Sequence, residues 1–425
     1  MSYCYIWTIG CQMNKADSER IGSYLEEIGY QPTPSSEHAD IIVLNSCVVR
    51  QSAEDRVIRK LNALKSLKRE RQNAILVVTG CIVNSTADEL KRRFPWVDLF
   101  FAPQAFTELS QFLESRGLAP GEPEPGLLLP SHPLPCVFVP VIQGCDNFCS
   151  YCIVPYRRGR ERSRPVAEVL CEVEGLVSRG VREVTLLGQN VNSYGHDLTN
   201  GPDLAGLLGQ LNQIDGLVRI RFLTSHPKDM SESLIEAVAQ LGKVCEHISL
   251  PLQSGDNGIL KAMRRGYTVE HYRELVRRIR NEVPGVALST DVIVGFPGES
   301  EEQFRETFDI LNELRFDTVH VAAYSPRPGT ITSRTLEDNV PAEGKKRRRE
   351  MVEELQEGIA AEINSRLLGQ TVDILVEGRK KGKWWGRTRT DKLVFFSDGA
   401  DRLGQLVMVK IEKTSPWSLQ GSLVA

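Results

Sequence analysis

From residue 1 to about residue 325, apolar runs rich in β-branched residues alternate with amphipathic stretches, the pattern of βαβ units and parallel sheet. Three strand-like runs come first, at Tyr5-Ile6-Trp7-Thr8, 40–44 and 74–78. Helical patterns such as Asp17 to Ile28 and Ser52 to Lys68 separate them, which predicts a parallel α/β domain over residues 1–116. The segment 117–135 carries prolines at 120, 123, 125, 130, 133 and 135 and reads as a linker. Six further strand candidates follow, at 137–142, 182–187, 217–223, 246–251, 286–294 and 317–324, with a helix-like segment after each of the first five. Six β/α units in a row predict a partial (β/α)6 barrel, whose ligands belong at the C-terminal ends of its strands. A long polar helix over 341–368 closes this domain, 136–368. From 369 to 425 the pattern turns to short alternating strands without helices, as in a small OB-like β-barrel. The expected class is therefore α/β, multidomain.

Composition changes this picture little. Of 425 residues 41% are hydrophobic and 25% charged, the balance of a globular chain. The formal net charge of −3 excludes a whole-chain nucleic-acid footprint, so any basic surface must be local. The N-terminus has no basic n-region before an apolar core, and no run approaches the roughly 18 apolar residues of a membrane helix. A cytoplasmic location is expected, and there ten cysteines point to metal binding or chemistry rather than disulfides.

The cysteine positions narrow the chemistry. Cys145, Cys149 and Cys152 lie in one loop just past the first barrel strand, with three and then two residues between them. Thiolates so spaced suit zinc or an iron–sulfur cluster. A structural zinc site needs four closed ligands, and no fourth Cys or His stands at a matching spacing. Three ligands on a four-iron cluster leave one iron open, which argues for catalysis. Independently, Cys11, Cys47 and Cys81 each follow one of the three N-terminal strands, in Gly10-Cys11, Asn45-Ser46-Cys47 and Gly80-Cys81. If those strands are parallel, the three thiols converge at one sheet edge, and the glycines let backbone approach a ligand. Three separately buried thiols are the alternative. Cys4, Cys136, Cys171 and Cys245 fit no such pattern and read as core.

The barrel strands end in polar groups placed where a cofactor would lie: Gln189-Asn190, Thr224-Ser225-His226, Gln253-Ser254, Asp291 running into Gly295, and Arg327. Helix capping explains some Ser and Asp at such places. The tail from 371 has ten Lys or Arg against six Asp or Glu. Arg379, Lys380, Lys381, Lys383, Arg387, Arg389 and Lys392 interleave with Trp384, Trp385, Phe395 and Phe396, a mixture suited to phosphate attraction and base stacking. A solvated barrel with core aromatics is the alternative. The run Lys345 to Arg349 is either a solvated helix face or a phosphate contact.

The loop Cys145-x-x-x-Cys149-x-x-Cys152 resembles the signature of the radical S-adenosylmethionine superfamily. Cys11-Gln12-Met13-Asn14, Asn45-Ser46-Cys47-Val48-Val49-Arg50, Gly-Gln-Asn-Val-Asn at 188–192, Thr-Ser-His-Pro-Lys at 224–228 and Val-Gly-Phe-Pro-Gly at 294–298 resemble its methylthiotransferase family. The tail resembles that family's TRAM domain. The loop at Gln253-Ser254-Gly255-Asp256 departs by lacking an extra serine. The resemblance implies two [4Fe–4S] clusters, one held by Cys145, Cys149 and Cys152 and open to S-adenosylmethionine, the other held by Cys11, Cys47 and Cys81 and serving sulfur transfer. It implies that Tyr151 helps place the adenine, with Gln189, Asn190, Gln253, Ser254, Asp291, Gly295 and Arg327 as cofactor contacts. A radical generated from S-adenosylmethionine would activate C2 of an adenine, and a second S-adenosylmethionine would supply the methyl group. The partners implied are tRNA, at its anticodon stem-loop, and an electron donor such as flavodoxin or ferredoxin. Gln12-Met13-Asn14 and the residues around Cys47 are most similar to the type acting on N6-isopentenyladenosine at position 37. Threonylcarbamoyladenosine-37 of tRNA, an aspartate of a ribosomal protein, and a non-catalytic iron–sulfur RNA-binding or electron-carrier role are the alternatives.

Overall fold

A computed structural model describes residues 1–47, 51–83, 87–119 and 128–424. The chain forms two compact units. The first comprises Met1–His132 with the segments Gln143–Asp146 and Cys152–Arg162; the second comprises Pro133–Ile142, Asn147–Tyr151 and Ser163–Ala425. The expected linker is thus divided between them at His132, and its residues 120–127 lie outside the described residues.

The first unit runs β1 (Ser2–Thr8), α1 (Gln12–Glu27), β2 (Tyr30–Pro32), β3 (Ile41–Ser46), α2 (Gln51–Glu70), β4 (Ile75–Gly80), α3 (Ala87–Arg93), β5 (Leu99–Phe100) and α4 (Phe106–Ser115). Its five strands are parallel in the order β2-β1-β3-β4-β5. Both faces of the sheet are covered. Ile42, Leu44, Leu76 and Val78 pack with Val57, Leu61 and Leu64 of α2 on one side, and Ile41, Val43, Ile75 and Val77 pack with Ile21, Tyr24, Leu109 and Leu113 on the other. Double coverage is why β3 and β4 read as unbroken apolar runs. The edge strands β2 and β5, three and two residues long, escaped the sequence reading because so short a run carries no periodicity.

The chain continues through β6 (Cys136–Pro140), the short β7 (Ile142–Gln143), α5 (Val154–Arg158), the short β8 (Arg162–Ser163), α6 (Val166–Ser178), β9 (Glu183–Leu187), α7 (Leu204–Leu211), β10 (Arg219–Phe222), α8 (Glu232–Gln240), β11 (His247–Ser249), α9 (Asn257–Ala262), α10 (Val269–Glu282), β12 (Ala287–Val294), α11 (Glu301–Leu314), β13 (Thr318–Ala323), α12 (Ile331–Thr335) and α13 (Ala342–Ser365). In the second unit β6-β9-β10 and β11-β12-β13 are parallel three-stranded sheets, joined by a bridge between Ile220 and Val244. Six parallel strands in sequence order make the expected partial barrel. Ser231, Asp256, Thr268 and Ser300 cap the following helices with their side chains, so the serine and aspartate punctuation at those loops is capping. The long α13 packs along β12 and β13.

The last strands, β14 (Thr371–Lys380), β15 (Lys383–Arg387), β16 (Leu393–Phe396), β17 (Leu406–Thr414) and β18 (Leu419–Leu423), close a five-stranded barrel in the order β14-β15-β16-β18-β17. Its core is Ile374, Val376, Trp384, Val394, Phe396, Val409, Ile411 and Leu419. Arg219 and Arg221, both buried on one face of β10, fix it to the (β/α) barrel. They donate to the carbonyl oxygens of Arg387 at 2.6 Å, Thr388 at 2.7 Å and Arg389 at 2.8 Å, with Arg219 also on Asp373 Oδ2 at 2.8 Å. Charged donors on buried carbonyls are among the stronger hydrogen bonds a protein makes.

Candidate metal and cofactor sites

In the first unit, strand register decides which cysteines meet. Thr8 pairs with Asn45 across β1 and β3, and Ser46 with Gly80 across β3 and β4. Cys11, Cys47 and Cys81 therefore leave the carboxyl ends of three adjacent strands. The strand order places the first two on either side of the point where the chain reverses direction across the sheet, where doubly wound sheets bind ligands. Cys11 is the N-cap of α1, whose unpaired N–H groups favour negative charge. Beneath the thiols lies a closed polar network. Asn14 Nδ2 donates to Asn45 Oδ1 at 2.8 Å and to the Ser46 carbonyl at 3.0 Å, and Asn45 Nδ2 donates to the Asn14 carbonyl at 2.7 Å and Ser18 Oγ at 2.9 Å. Cys11 Sγ rests 3.3 Å from Asn14 Oδ1. The glycines are closely packed by protein. A Cβ on Gly10 would stand 2.8 Å from Cys47 Cβ and 2.7 Å from Asn14 Oδ1, and one on Gly80 2.2 Å from the Ser46 carbonyl.

One further residue reaches this edge. Arg158, at the end of α5 and buried, donates from Nε to Cys81 Sγ at 3.4 Å and from Nη2 to Asp17 Oδ2 at 3.0 Å. Burial pushes the Cys81 thiol up while Arg158 pulls it down. Burial likewise raises the Asp17 carboxyl against the pull of Arg158.

In the second unit, Cys149 is buried and accepts a hydrogen bond from Arg265 Nη1 at 3.3 Å. Its neighbour Ser150 pins the loop to the barrel, with the backbone N–H on the Met263 carbonyl at 3.0 Å and Oγ on the Ala262 carbonyl at 2.7 Å. Tyr151 packs against Ile259, Met263, Phe296 and Tyr324. At the strand ends, Gln189 Oε1, Asn190 Oδ1, Ser225 Oγ, His226 Nε2 and Gln253 Oε1 are buried and have no hydrogen-bond partner among the described residues. Leaving such an atom unsatisfied costs roughly 1–3 kcal/mol, so a polar ligand at this end of the barrel would gain by pairing them. Thr224 and Gln253 add backbone strain there, at φ 66° and 70°. Burial, then Arg265 and Lys228, push His226 down to about 2, so its ring is neutral. Its Nδ1 accepts the Lys228 N–H at 3.3 Å, which puts the ring proton on Nε2, a donor for a ligand.

Comparison with known proteins agrees with this geometry. Residues 139–311 match the radical SAM superfamily, 3–102 the uncharacterised protein family UPF0004, and 365–424 the TRAM domain. The tRNA-2-methylthio-N(6)-dimethylallyladenosine synthase of Dehalococcoides mccartyi is 50% identical over 99% of this chain and 98% of its own. Those of Chloroflexus aurantiacus and Carboxydothermus hydrogenoformans are 50% and 46% identical, over 98% and 99% of this chain and 90% and 99% of theirs. The chain belongs to the tRNA-2-methylthio-N(6)-dimethylallyladenosine synthase family. Among solved structures, the radical S-adenosylmethionine methyltransferase TsrM of Kitasatospora setae shares the fold, with a TM-score of 0.57 at 16% identity over 78% of this chain and 74% of that one.

Synthases of this family are radical SAM enzymes with a [4Fe–4S] cluster, S-adenosylmethionine and a second cluster. The donor sets fit these groups. Among the described residues no three Cys, His, Asp or Glu side chains close on one point as a single ion requires. Cluster thiolates each bind a different iron and need not do so. The five unpaired polar atoms include both acceptors and donors, as a ligand carrying amino, carboxylate and hydroxyl groups requires.

Of the expected cofactor contacts, Gln189, Asn190 and Gln253 present unpaired atoms at the strand ends, and Arg327 is buried in the loop after β13. Asp291 is half-buried in β12, where its carbonyl accepts the Gln253 N–H at 2.8 Å. Ser254 is wholly buried, its Oγ 3.4 Å from Thr307 Oγ1 and accepting the Asp256 N–H at 3.2 Å, so it shapes the turn into α9. Gly295 donates to Glu299 Oε2 at 2.6 Å, and a Cβ there would strike Lys345 at 2.3 Å, so it seats α13. Arg158, Arg265 and Tyr267 went unread: single residues far from the cysteines in sequence carry no spacing signal.

The basic run on α13 is divided, with Lys346 and Arg347 exposed and Lys345 and Arg348 buried. Lys345 is buried on Asp338 at 2.5 Å, and Arg348 on Glu299 at 2.6 Å. In the C-terminal barrel, Arg379, Lys380, Lys381 and Lys383 are exposed around the β14–β15 hairpin. Arg389 instead binds Glu246 at 2.7 Å, Lys392 binds Asp317 at 2.6 Å, and Arg387 pairs with Asp391 at 3.2 Å and Glu377 at 3.4 Å. The Trp384 ring is in the core with Nε1 on the Ala400 carbonyl at 3.1 Å, and the Arg379 guanidinium lies over it, 5.3 Å from the ring centre. Alternation puts Trp385 and its cross-strand partner Phe395 on the outer side instead. Cys4 and Cys245 are buried as expected, Cys136 is half-buried, and Cys171 is exposed on α6 rather than in the core. Val48 to Arg50 of the second cysteine motif lie outside the described residues. No helix among the described residues is long and apolar enough to cross a membrane.

Proposed function

We propose that the chain transfers a methylthio group to C2 of N6-isopentenyladenosine at position 37 of tRNA. The observation that carries this reading is a chain with two cysteine triplets, one spread over three parallel strand ends and one in a single loop, that aligns end to end with relatives named for that product. Cys145, Cys149 and Cys152 would hold one cluster, and Cys11, Cys47 and Cys81 the other. When bound, these clusters and S-adenosylmethionine supply the radical and the sulfur that an unreactive adenine C2–H requires. The chain's own residues bind, orient and shield. Gln189, Asn190, Gln253 and the Nε2–H of neutral His226 orient S-adenosylmethionine, Tyr151 lines the wall beside it, and Arg265 holds charge at Cys149. The exposed Arg379, Lys380, Lys381 and Lys383 attract the phosphates of the anticodon stem-loop. A flavodoxin or ferredoxin in the cytoplasm would donate the electron.

The test is anaerobic reconstitution with reductant, S-adenosylmethionine and isopentenylated tRNA, followed by mass spectrometry of the digested nucleosides. The expected result is 2-methylthio-isopentenyladenosine. Release of 5′-deoxyadenosine alone would keep the radical chemistry and overturn the substrate. Loaded clusters with neither product would overturn the catalytic reading.

A further inference from the structure

Residues 158 and 159 touch one cysteine of each triplet, and all the groups concerned lie in the first unit. The Arg158 side chain reaches Cys81 Sγ at 3.4 Å, and the carbonyl of Gly159 accepts the Cys145 N–H at 3.1 Å. The backbone is tightly fitted at this point: a Cβ on Gly144 would stand 2.0 Å from the Arg160 carbonyl. Arg160 then grips Asp146 through two contacts of 2.6 and 3.1 Å. Arg158 itself is buried against Asp17, which stands six residues past the N-cap Cys11 on α1.

We propose that Arg158 is a positioning residue of the sulfur-transfer site, holding Cys81 and setting the reduction potential of the N-terminal cluster, with Asp17 as its counter-charge. The inference rests on the reading that Cys11, Cys47 and Cys81 bind a cluster. The physical reason is charge. Reduction adds an electron to a centre already rich in thiolate, and a buried cation donating a hydrogen bond to one ligand sulfur favours the reduced state. A carboxylate 3.0 Å from that cation opposes it. Removing the arginine must therefore lower the potential, and removing the aspartate's charge must raise it. A residue that only packs has no reason to give opposite signs.

The test uses the full chain with Cys145, Cys149 and Cys152 replaced by alanine, so that only the N-terminal cluster is read. Reconstituted protein is titrated with dithionite at pH 8 while the reduced-cluster signal is followed by electron paramagnetic resonance. Arg158→Met is expected to shift the one-electron equilibrium about tenfold toward the oxidised form, about 59 mV to lower potential. Asp17→Asn is expected to shift it the other way, and Arg158→Lys to recover part of the loss. Equal potentials in all variants, or shifts of the same sign from Arg158→Met and Asp17→Asn, would overturn the proposal. If Arg158→Met loads no iron, the signs for Arg158→Lys and Asp17→Asn decide it. If the parent protein with Arg158 and Asp17 intact loads no cluster, the underlying reading has failed instead.

Discussion

The two cysteine sites are assembled in opposite ways. In the first unit the thiols come from three strand ends far apart in sequence, so the site exists only when the β1, β3 and β4 register is in place. The other three come from one eight-residue stretch of sequence, and Cys149 lies in the unit whose strand ends carry the unpaired polar groups. Each site has a buried arginine on one thiol, and here too they differ. Arg158 carries its own counter-ion, Asp17. Arg265 bonds to the hydroxyl of Tyr267 at 3.1 Å and the carbonyl of Pro251 at 3.2 Å besides Cys149, all neutral groups or thiol. A buried cation whose contacts include no carboxylate calls for an anion from elsewhere. On the proposed reading the barrel arginine would meet negative charge brought by a cluster and its ligand, whereas Arg158 already faces the Asp17 carboxylate.

The largest expected effect separates the two sites. Cys149→Ala should abolish reductive cleavage of S-adenosylmethionine and all product. Cys47→Ala should leave 5′-deoxyadenosine formation intact while removing the methylthio adduct. Both are read by mass spectrometry of one reaction mixture. Loss of 5′-deoxyadenosine in Cys47→Ala would mean that the sites do not divide the chemistry in this way.

Next come the glycines on which each site leans. Gly80→Ala sets a Cβ 2.2 Å from the Ser46 carbonyl at φ 94°, and Gly144→Ala sets one 2.0 Å from the Arg160 carbonyl at φ 74°. The left-handed conformation alone costs a non-glycine residue about 1–3 kcal/mol, and neither backbone neighbour can swing aside. Gly80→Ala should halve the iron content or worse by unseating Cys47 and Cys81. Gly144→Ala should spare that iron and impair the barrel cluster. Iron analysis on the respective three-cysteine backgrounds checks both.

A smaller effect sharpens the electrostatic contrast. Arg265→Met should weaken S-adenosylmethionine binding about 10- to 100-fold, the range seen when residues supporting a metal ligand are removed. Arg265→Lys should recover little, since an ammonium cannot span Cys149, Tyr267 and Pro251 together. Isothermal titration of the cluster-loaded protein measures it. Arg158→Met should leave this affinity unchanged; a matching loss there would erase the distinction between the arginines.

Much of this was legible because periodicity and spacing are local signals. The barrel strands, the single-loop triplet and even the three-strand triplet could be read, the last because Cys11, Cys47 and Cys81 each sit just past an apolar run. What escaped depends on which distant side chains meet. The placement of Arg265 against Cys149 spans 116 residues and that of Arg158 against Cys81 spans 77, and no sequence period encodes either. The C-terminal barrel is a lesson in phase. Trp384 and Trp385 are adjacent, yet strand alternation sends one into the core and the other outward, and the phase is set by pairing with β16. Basic residues were likewise legible in number but not in use: Arg389 and Lys392 dock the barrel, while Arg379 to Lys383 remain exposed.

The smallest expected effect concerns pH and sets the two units apart. The second unit buries two histidines held neutral, His226 down to about 2 and His247 to about 4, in each case chiefly by burial. The first unit's histidines, His38 and His132, are exposed. A buried neutral histidine takes its proton later than the same residue in the unfolded chain, whose value is near 6.5. As pH falls below about 6.5 the unfolded state therefore gains protons that the folded state does not. The stability from each histidine is fully present above that value and declines by up to about 1.4 kcal/mol per pH unit below it. For His247 the decline levels off near 4, and for His226 it continues towards 2. Hydrogen exchange resolved by peptide, compared at pH 7.5 and 5.5 after correction for intrinsic rates, should show protection lost in β10 to β12 and retained in β1 to β4. His226→Gln should flatten the dependence in the second unit, since an amide cannot take the proton. An equal loss in both units would place the acid sensitivity in groups they share rather than in these histidines.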